Sequence, residues 1–360
     1  MFANSMKRKN KHKSLLQIHL YQEHYRRLRR KSKRKKRLRN IFKYRKRISE
    51  CIERGALKVR KPLTEIIVAP VLFSLLNNTE DTLNYIAKID QEVQNKHCTT
   101  LRLDLRDVDD IDIGTLSILL AKINRLKQQN IVVETILPRN QERKRLFFES
   151  GFAEHMYDVF GQKIHSYYSR NNLMIQRGFD KTSNKQLGNV MKQVMHFLTN
   201  QEESYRPVYS IAQEMCANSI EHANKQYKNW LFSVWYRDCE NVCFTMTDIG
   251  SGIIETLHRK FSQRIAEYFF RDDTEILIRA FDRKYGSSTL DENRNKGLPK
   301  IQHTAKLGYI SNLKVITNGV YVDIVNSAES KVLNTNFKGT FYYWELNKNN
   351  IETWKQRNCN

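Results

Sequence analysis

Val242-Cys243-Phe244-Thr245-Met246-Thr247-Asp248-Ile249-Gly250-Ser251-Gly252-Ile253 is an apolar run that closes on an acid and two glycines. Its composition is that of a β-strand, which delivers Asp248 to the strand's C-terminal edge. Gly250 and Gly252 then let the backbone turn sharply against whatever binds there. Taken alone, an acid-Gly-x-Gly corner more often marks the solvated end of an ordinary strand. Its neighbours decide between the two readings.

Upstream, residues 208–224 have helical spacing and carry Glu214, Asn218 and His222 at i, i+4 and i+8, on one face. The other positions (Ile211, Ala212, Met215, Ile220 and Ala223) are largely apolar, so the polar stripe is unlike a plain solvent face. A carboxamide oxygen such as that of Asn218 suits Mg2+, and a carboxylate one turn away can polarise water. His222 reads as a structural polar residue. Strands at 230–236 and 242–248 form a hairpin around Arg237-Asp238-Cys239-Glu240-Asn241, and so bring Asp248 to this helix. Downstream, residues 253–296 are charged, with helices expected at 255–270 and 273–282, and reach Gly286-Ser287-Ser288-Thr289, the composition of a lid. Arg294-Asn295-Lys296-Gly297-Leu298 then opens a helix whose free N–H groups, with Lys296, can cradle a phosphate; Arg294 is equally a plain surface charge. Three strands complete the reading, at 309–317, 320–326 and 339–345.

The ordered set Glu214-x3-Asn218, Asp248-x-Gly250-x-Gly252, Lys296-Gly297-Leu298 and Gly339-Thr340 resembles the GHKL ATPases, the group of the gyrase, heat-shock chaperone, histidine kinase and mismatch-repair ATPase domains. The resemblance implies a Bergerat α/β sandwich, a mixed sheet covered by helices, over about residues 170–350. It implies ATP and Mg2+ as ligands. Asn218 would coordinate the metal and Glu214 would be the general base. Asp248 would accept a hydrogen bond from the adenine amino group, with Thr340 in support. Gly250 and Gly252 would let the lid approach, while Lys296 and Gly297 would contact the phosphates. The third box departs from the family pattern: Asn295 stands where its first glycine is expected.

Further out, residues 62–165 read as a compact α/β unit. Helices are expected at 81–94, 116–128 and 141–149, the last stopped at Gly151, with strands at 100–105 and 131–136. This order, with Asp107-Val108-Asp109-Asp110-Ile111-Asp112-Ile113-Gly114 leading into a helix, resembles a STAS domain, the fold of anti-sigma factor antagonists. Matching Gly114 to the motif glycine places Asp112 where regulatory members carry a phosphate-accepting hydroxyl. The resemblance therefore implies a binding module that cannot be switched at that residue, although Thr115 and Ser117 are near. An acid there also has a structural use, since it caps the helix and favours its dipole. A polar connection, Asn171 to Asp180, separates the two units, and Leu187, Val190, Met191 and Val194 begin the next helix.

Charge divides the chain differently. Residues 1–61 hold 24 Lys and Arg against three acids, so +21 of the net +24 lies there and +3 on the rest. This arm reads as helical or partly disordered, and residues 7–61 suit a nucleic-acid backbone or another anionic surface. No apolar run reaches the roughly 18 residues of a membrane span, no secretory leader is read at the start, and the six scattered cysteines suggest reduced thiols. The expectation is a cytoplasmic Mg-ATP-binding regulatory protein whose nucleotide-dependent lid controls a protein partner, with slow hydrolysis and with dimerisation left open. The alternatives are a serine/threonine protein kinase of the anti-sigma type, or a nucleic-acid-associated ATPase acting through the arm.

Overall fold

A computed structural model of the chain describes residues 64–96, 99–150, 152, 173–178, 184–222, 230–266, 272–282 and 297–358. The chain divides into two units, Met1–Lys61 and Pro62–Asn360. The basic arm lies outside the described residues, and all that follows concerns the second unit.

The second unit begins with β1 (Thr64–Val68), β2 (Leu72–Phe73), α1 (Thr79–Lys96), β3 (Thr100–Asp104), β4 (Asp110–Ile111), α2 (Ile113–Gln128), β5 (Val132–Ile136) and α3 (Gln141–Glu149). It continues with β6 (Leu173–Gly178), α4 (Asn184–Thr199), α5 (Arg206–His222), β7 (Trp230–Tyr236), β8 (Asn241–Asp248), α6 (Ile253–Ala266), α7 (Asp273–Phe281) and α8 (Gly297–Lys306). β9 (Ser311–Asp323), β10 (Lys331–Asn347) and α9 (Lys348–Asn358) complete it. The fold is mixed α/β. β1, β3 and β5 form a parallel sheet, and β2 pairs parallel with β4. A second sheet has the order β6-β7-β8-β10-β9, and every adjacent pair in it is antiparallel, which corrects the mixed sheet expected there.

Two apolar clusters lie on opposite faces of the antiparallel sheet, and the alternation of β8 shows why. Val242, Phe244 and Met246 point to one face, where they pack with Leu187, Val194, Ile211 and Met215 of α4 and α5 and with Ile301 of α8. Phe244 stacks on Trp344 of β10 at 5.4 Å between ring centroids. Cys243, Phe341 and Tyr343 point to the other face and share a cluster with Leu116, Ile118, Leu119 and Ile123 of α2. A strand covered on both faces reads as an unbroken apolar run, as this one does. α2 is likewise buried almost all round, because α1 and α2 lie between the two sheets. The segments read as separate STAS-like and ATPase-like domains thus share one core.

Several buried polar groups of the shared layer are paired, although Thr82 Oγ1 and Tyr85 OH of α1 are not. Ser117 Oγ lies 2.9 Å from Ser233 Oγ and 2.8 Å from Thr245 Oγ1, all three fully buried. Lys122, buried on α2, reaches Asp90 of α1 at 2.6 Å, and burial holds its ammonium below the usual lysine range. Asp112 caps α2: one carboxylate oxygen accepts from Thr115 N–H (2.6 Å), the other from Ser74 Oγ (2.7 Å) and Leu76 N–H (2.9 Å).

Three local expectations differ from the structure. The polar connection after Asn172 contains β6, an edge strand on β7. The strands expected at 309–317 and 320–326 are one strand, β9, whose positive-φ Asn318 (52°) marks an irregularity in its pairing with β10. α9 was not expected. The glycine stop at Gly151 lies outside the described residues.

Candidate functional site

Asp248 ends β8 directly opposite Thr340 of β10. Its carboxylate accepts hydrogen bonds from Ser219 Oγ of α5 (3.0 Å) and from the backbone N–H and hydroxyl of Thr340. Burial nonetheless dominates and pushes the carboxyl up to about 6, against an ordinary 3.8, with the hydrogen bonds from Ser219 and Thr340 opposing the shift. An acid kept in such a place at a folding cost is a candidate for function. Tyr342 lies beneath it, its phenol raised first by burial and then by the Asp248 charge. Gly339 precedes Thr340 because only a residue without Cβ fits there: a Cβ would stand 2.2 Å from the Asp248 carbonyl oxygen.

The Asp248–Gly252 turn is fixed by the bulge in β9. Thr317 Oγ1 accepts from Ile253 N–H and donates to Gly339 O, both at 2.8 Å. Asn318 Nδ2 donates to Ser251 O (2.9 Å), and its Oδ1 accepts from Glu255 N–H (3.3 Å). Two free N–H groups at the start of α6 are thereby satisfied by side chains from another strand. Gly252 has φ +82°, and a Cβ there would stand 2.3 Å from Asn318 Oδ1, so glycine is required twice over. Gly250 is half-buried in the same turn and is not among the positive-φ glycines.

Next to Ser219 on α5, Asn218 and, one turn before it, Glu214 face the start of α8. A Cβ at Gly297 would lie 3.2 Å from Glu214 Oε2 and 3.4 Å from Asn218 Nδ2, so all three meet at the helix N-terminus. Lys300, the fourth residue of α8, donates to Glu214 Oε1 at 2.9 Å. α5 therefore connects two halves of one site, with Ser219 on Asp248 and Asn218 beside Gly297. Of the residues singled out in the sequence, Glu214, Asn218, Asp248, Gly250, Gly252, Gly297 and Thr340 fall into this arrangement. Lys296 and Arg294 lie outside the described residues, as does the side chain of His222. Sequence reasoning missed Ser219, Lys300, Thr317 and Asn318. Ser219 directly follows the Glu214-x3-Asn218 set and Lys300 lies two residues past Leu298, so both fall just outside the motifs.

Among the described residues, no three or more His, Cys, Asp and Glu side chains are placed to hold a metal ion. A Mg2+ ion here would take one protein oxygen, that of Asn218, with the rest of its shell from phosphate and water, an ordinary arrangement for this cation. No helix among the described residues is long and apolar enough to cross a membrane. The sequence matches no known protein-family model, and no curated protein matches it significantly.

Proposed function

We propose that the chain is a cytoplasmic Mg-ATP-binding regulatory protein of the GHKL type, with a STAS-like unit packed on the back of a Bergerat-type nucleotide-binding sheet. The observation that carries this reading is the Asp248 carboxylate, sunk at a strand end, held by Ser219 and Thr340, and joined through α5 to Glu214, Asn218 and the start of α8. A half-buried carboxylate that only accepts hydrogen bonds suits the exocyclic amino group of adenine. A helix start flanked by a carboxamide and a carboxylate suits Mg-bound phosphates, with Glu214 as the base of a slow hydrolysis.

The alternative of a serine/threonine kinase acting on its own STAS-like unit draws no support from the hydroxyls there. Thr115 and Ser117 are fully buried, and Ser117 is bonded to the sheet face opposite the site. Phosphate transfer to a separate partner is a distinct reaction and is read by radiolabel transfer. The nucleic-acid alternative belongs to residues 7–61. Calorimetric titration of ATP with and without Mg2+, into the wild-type chain and Asp248→Asn, tests the proposal. Absence of Mg-dependent binding in the wild type would refute it.

A further inference from the structure

Lys300 has no part in the motifs that point to a nucleotide, yet it holds the residue assigned as general base. Its Nζ lies 2.9 Å from Glu214 Oε1, with the two side chains 44% and 32% exposed. The sequence places this lysine one turn inside α8, and helical side chains lean toward the helix N-terminus. Its ammonium is therefore carried toward the end of α8 where Gly297 meets Glu214 Oε2 and Asn218. That end also carries the positive pole of the helix dipole, so an anion placed there lies within reach of the same ammonium.

Two anions would then compete for one cation. A partly exposed ion pair contributes little, whereas a phosphate oxygen makes a stronger charge-assisted bond. We infer that Lys300 is an exchangeable phosphate-binding residue: it pairs with Glu214 when the site holds no nucleotide and transfers to a nucleotide phosphate on binding, which frees the Glu214 oxygen. The pairing keeps the base engaged until a phosphate is present. Adenine recognition at Asp248 involves no part of this exchange. The inference rests on the nucleotide reading of the site, and its test separates the two.

The test is a calorimetric comparison of adenosine and of a non-hydrolysable ATP analogue with Mg2+, on the full chain. It covers the wild type, Lys300→Met, Glu214→Gln and the double variant, with Lys300→Arg as the conservative control. Adenosine affinity is expected to be the same in all. Lys300→Met weakens the analogue by about tenfold, the scale of one charge-assisted hydrogen bond, and Lys300→Arg restores most of it. Glu214→Gln, which releases the ammonium, tightens the analogue several-fold, and only where Lys300 is present. Unchanged analogue affinity in Lys300→Met, or an equal gain from Glu214→Gln in the Lys300→Met background, overturns the inference while adenosine binding leaves the site reading standing. A wild-type chain that binds neither ligand overturns both. Thermal melts of each variant show whether a loss of affinity is instead a loss of fold.

Discussion

Asp248→Asn should weaken nucleotide binding and, at neutral pH, strengthen the fold. Burial raises the Asp248 carboxyl from 3.8 to about 6 in the folded chain. The native state thus holds this proton more tightly than the unfolded chain. Between about pH 4 and 6 the native state carries more protons, and stability falls as pH rises through that window. Above pH 6 the cost is complete, and a shift of about two units corresponds to about 3 kcal/mol. An asparagine carries no charge, keeps one oxygen to accept from Ser219 or Thr340, and lets the Ser219 hydroxyl turn to accept from its amide. The variant should gain up to about 3 kcal/mol at pH 7.5, a rise in Tm of about 5 °C for a unit of this size, and nothing near pH 4. Nucleotide affinity should fall about 10- to 100-fold, since a hydrogen bond to a charged acceptor is worth about 1.5–3 kcal/mol. Wild-type affinity should itself decline below about pH 6, where the carboxyl becomes an uncharged, weaker acceptor and carries an O–H donor of its own. Denaturant unfolding at pH 4.5, 6 and 7.5, beside calorimetry, reads both effects. A variant less stable than wild type at pH 7.5 would refute the desolvation argument, and unchanged ATP affinity would refute the adenine assignment.

Gly252→Ala should cost about 3 kcal/mol in urea unfolding, combining left-handed backbone strain with a Cβ placed 2.3 Å from Asn318 Oδ1. Gly114→Val sets a Cβ 2.7 Å from Phe341 Cζ, across the layer between the STAS-like unit and the sheet. It should cost about 1–3 kcal/mol and be partly rescued by Phe341→Leu, with the coupling read in a double-mutant cycle. A fragment of residues 170–360 would bare Leu231, Cys243, Ile316, Phe341 and Tyr343 to water. It should aggregate or bind a hydrophobic dye, and a monodisperse, cooperatively melting fragment would refute the shared core.

The parts of the site legible in the sequence were those whose meaning is local. Glu214 and Asn218 announce a shared face by spacing alone, and Asp248 by closing a strand. Ser219, Thr317 and Asn318 gave no comparable signal, because Asp248 is 29 residues from Ser219, and Ile253 is 64 residues from Thr317. Lys300 was likewise invisible as a partner of Glu214, 86 residues away. In the fold, β9 was split in two because Asn318-Gly319 has turn composition, yet here the positive φ of Asn318 serves a bulge inside a strand. β6 was read as connection because Asn171, Asn172 and Arg177 surround its few apolar residues, as suits an edge strand. α9 escaped because Ile351 and Trp354 are its main apolar anchors. α2 was expected as a helix at 116–128, but that a second sheet covers its far side was not legible.

That second covering bears on how the two halves act together. β8 is a single wall between them: Phe244 and Met246 face the helices of the candidate site, Cys243 and Thr245 face α2, and Asp248 stands at the end of the same strand. β10 repeats the arrangement with Tyr342 and Trp344 against Phe341 and Tyr343. A close-packed interior does not slide by fractions of a residue, and the Ser117–Ser233–Thr245 hydroxyls would lose their mutual bonds if α2 shifted on the sheet. The α1 and α2 layer is therefore built in as the back of the antiparallel sheet rather than as a detachable piece. Under the proposed reading, regulation by nucleotide is expressed on the opposite face, where the partly exposed Glu214–Lys300 pair lies.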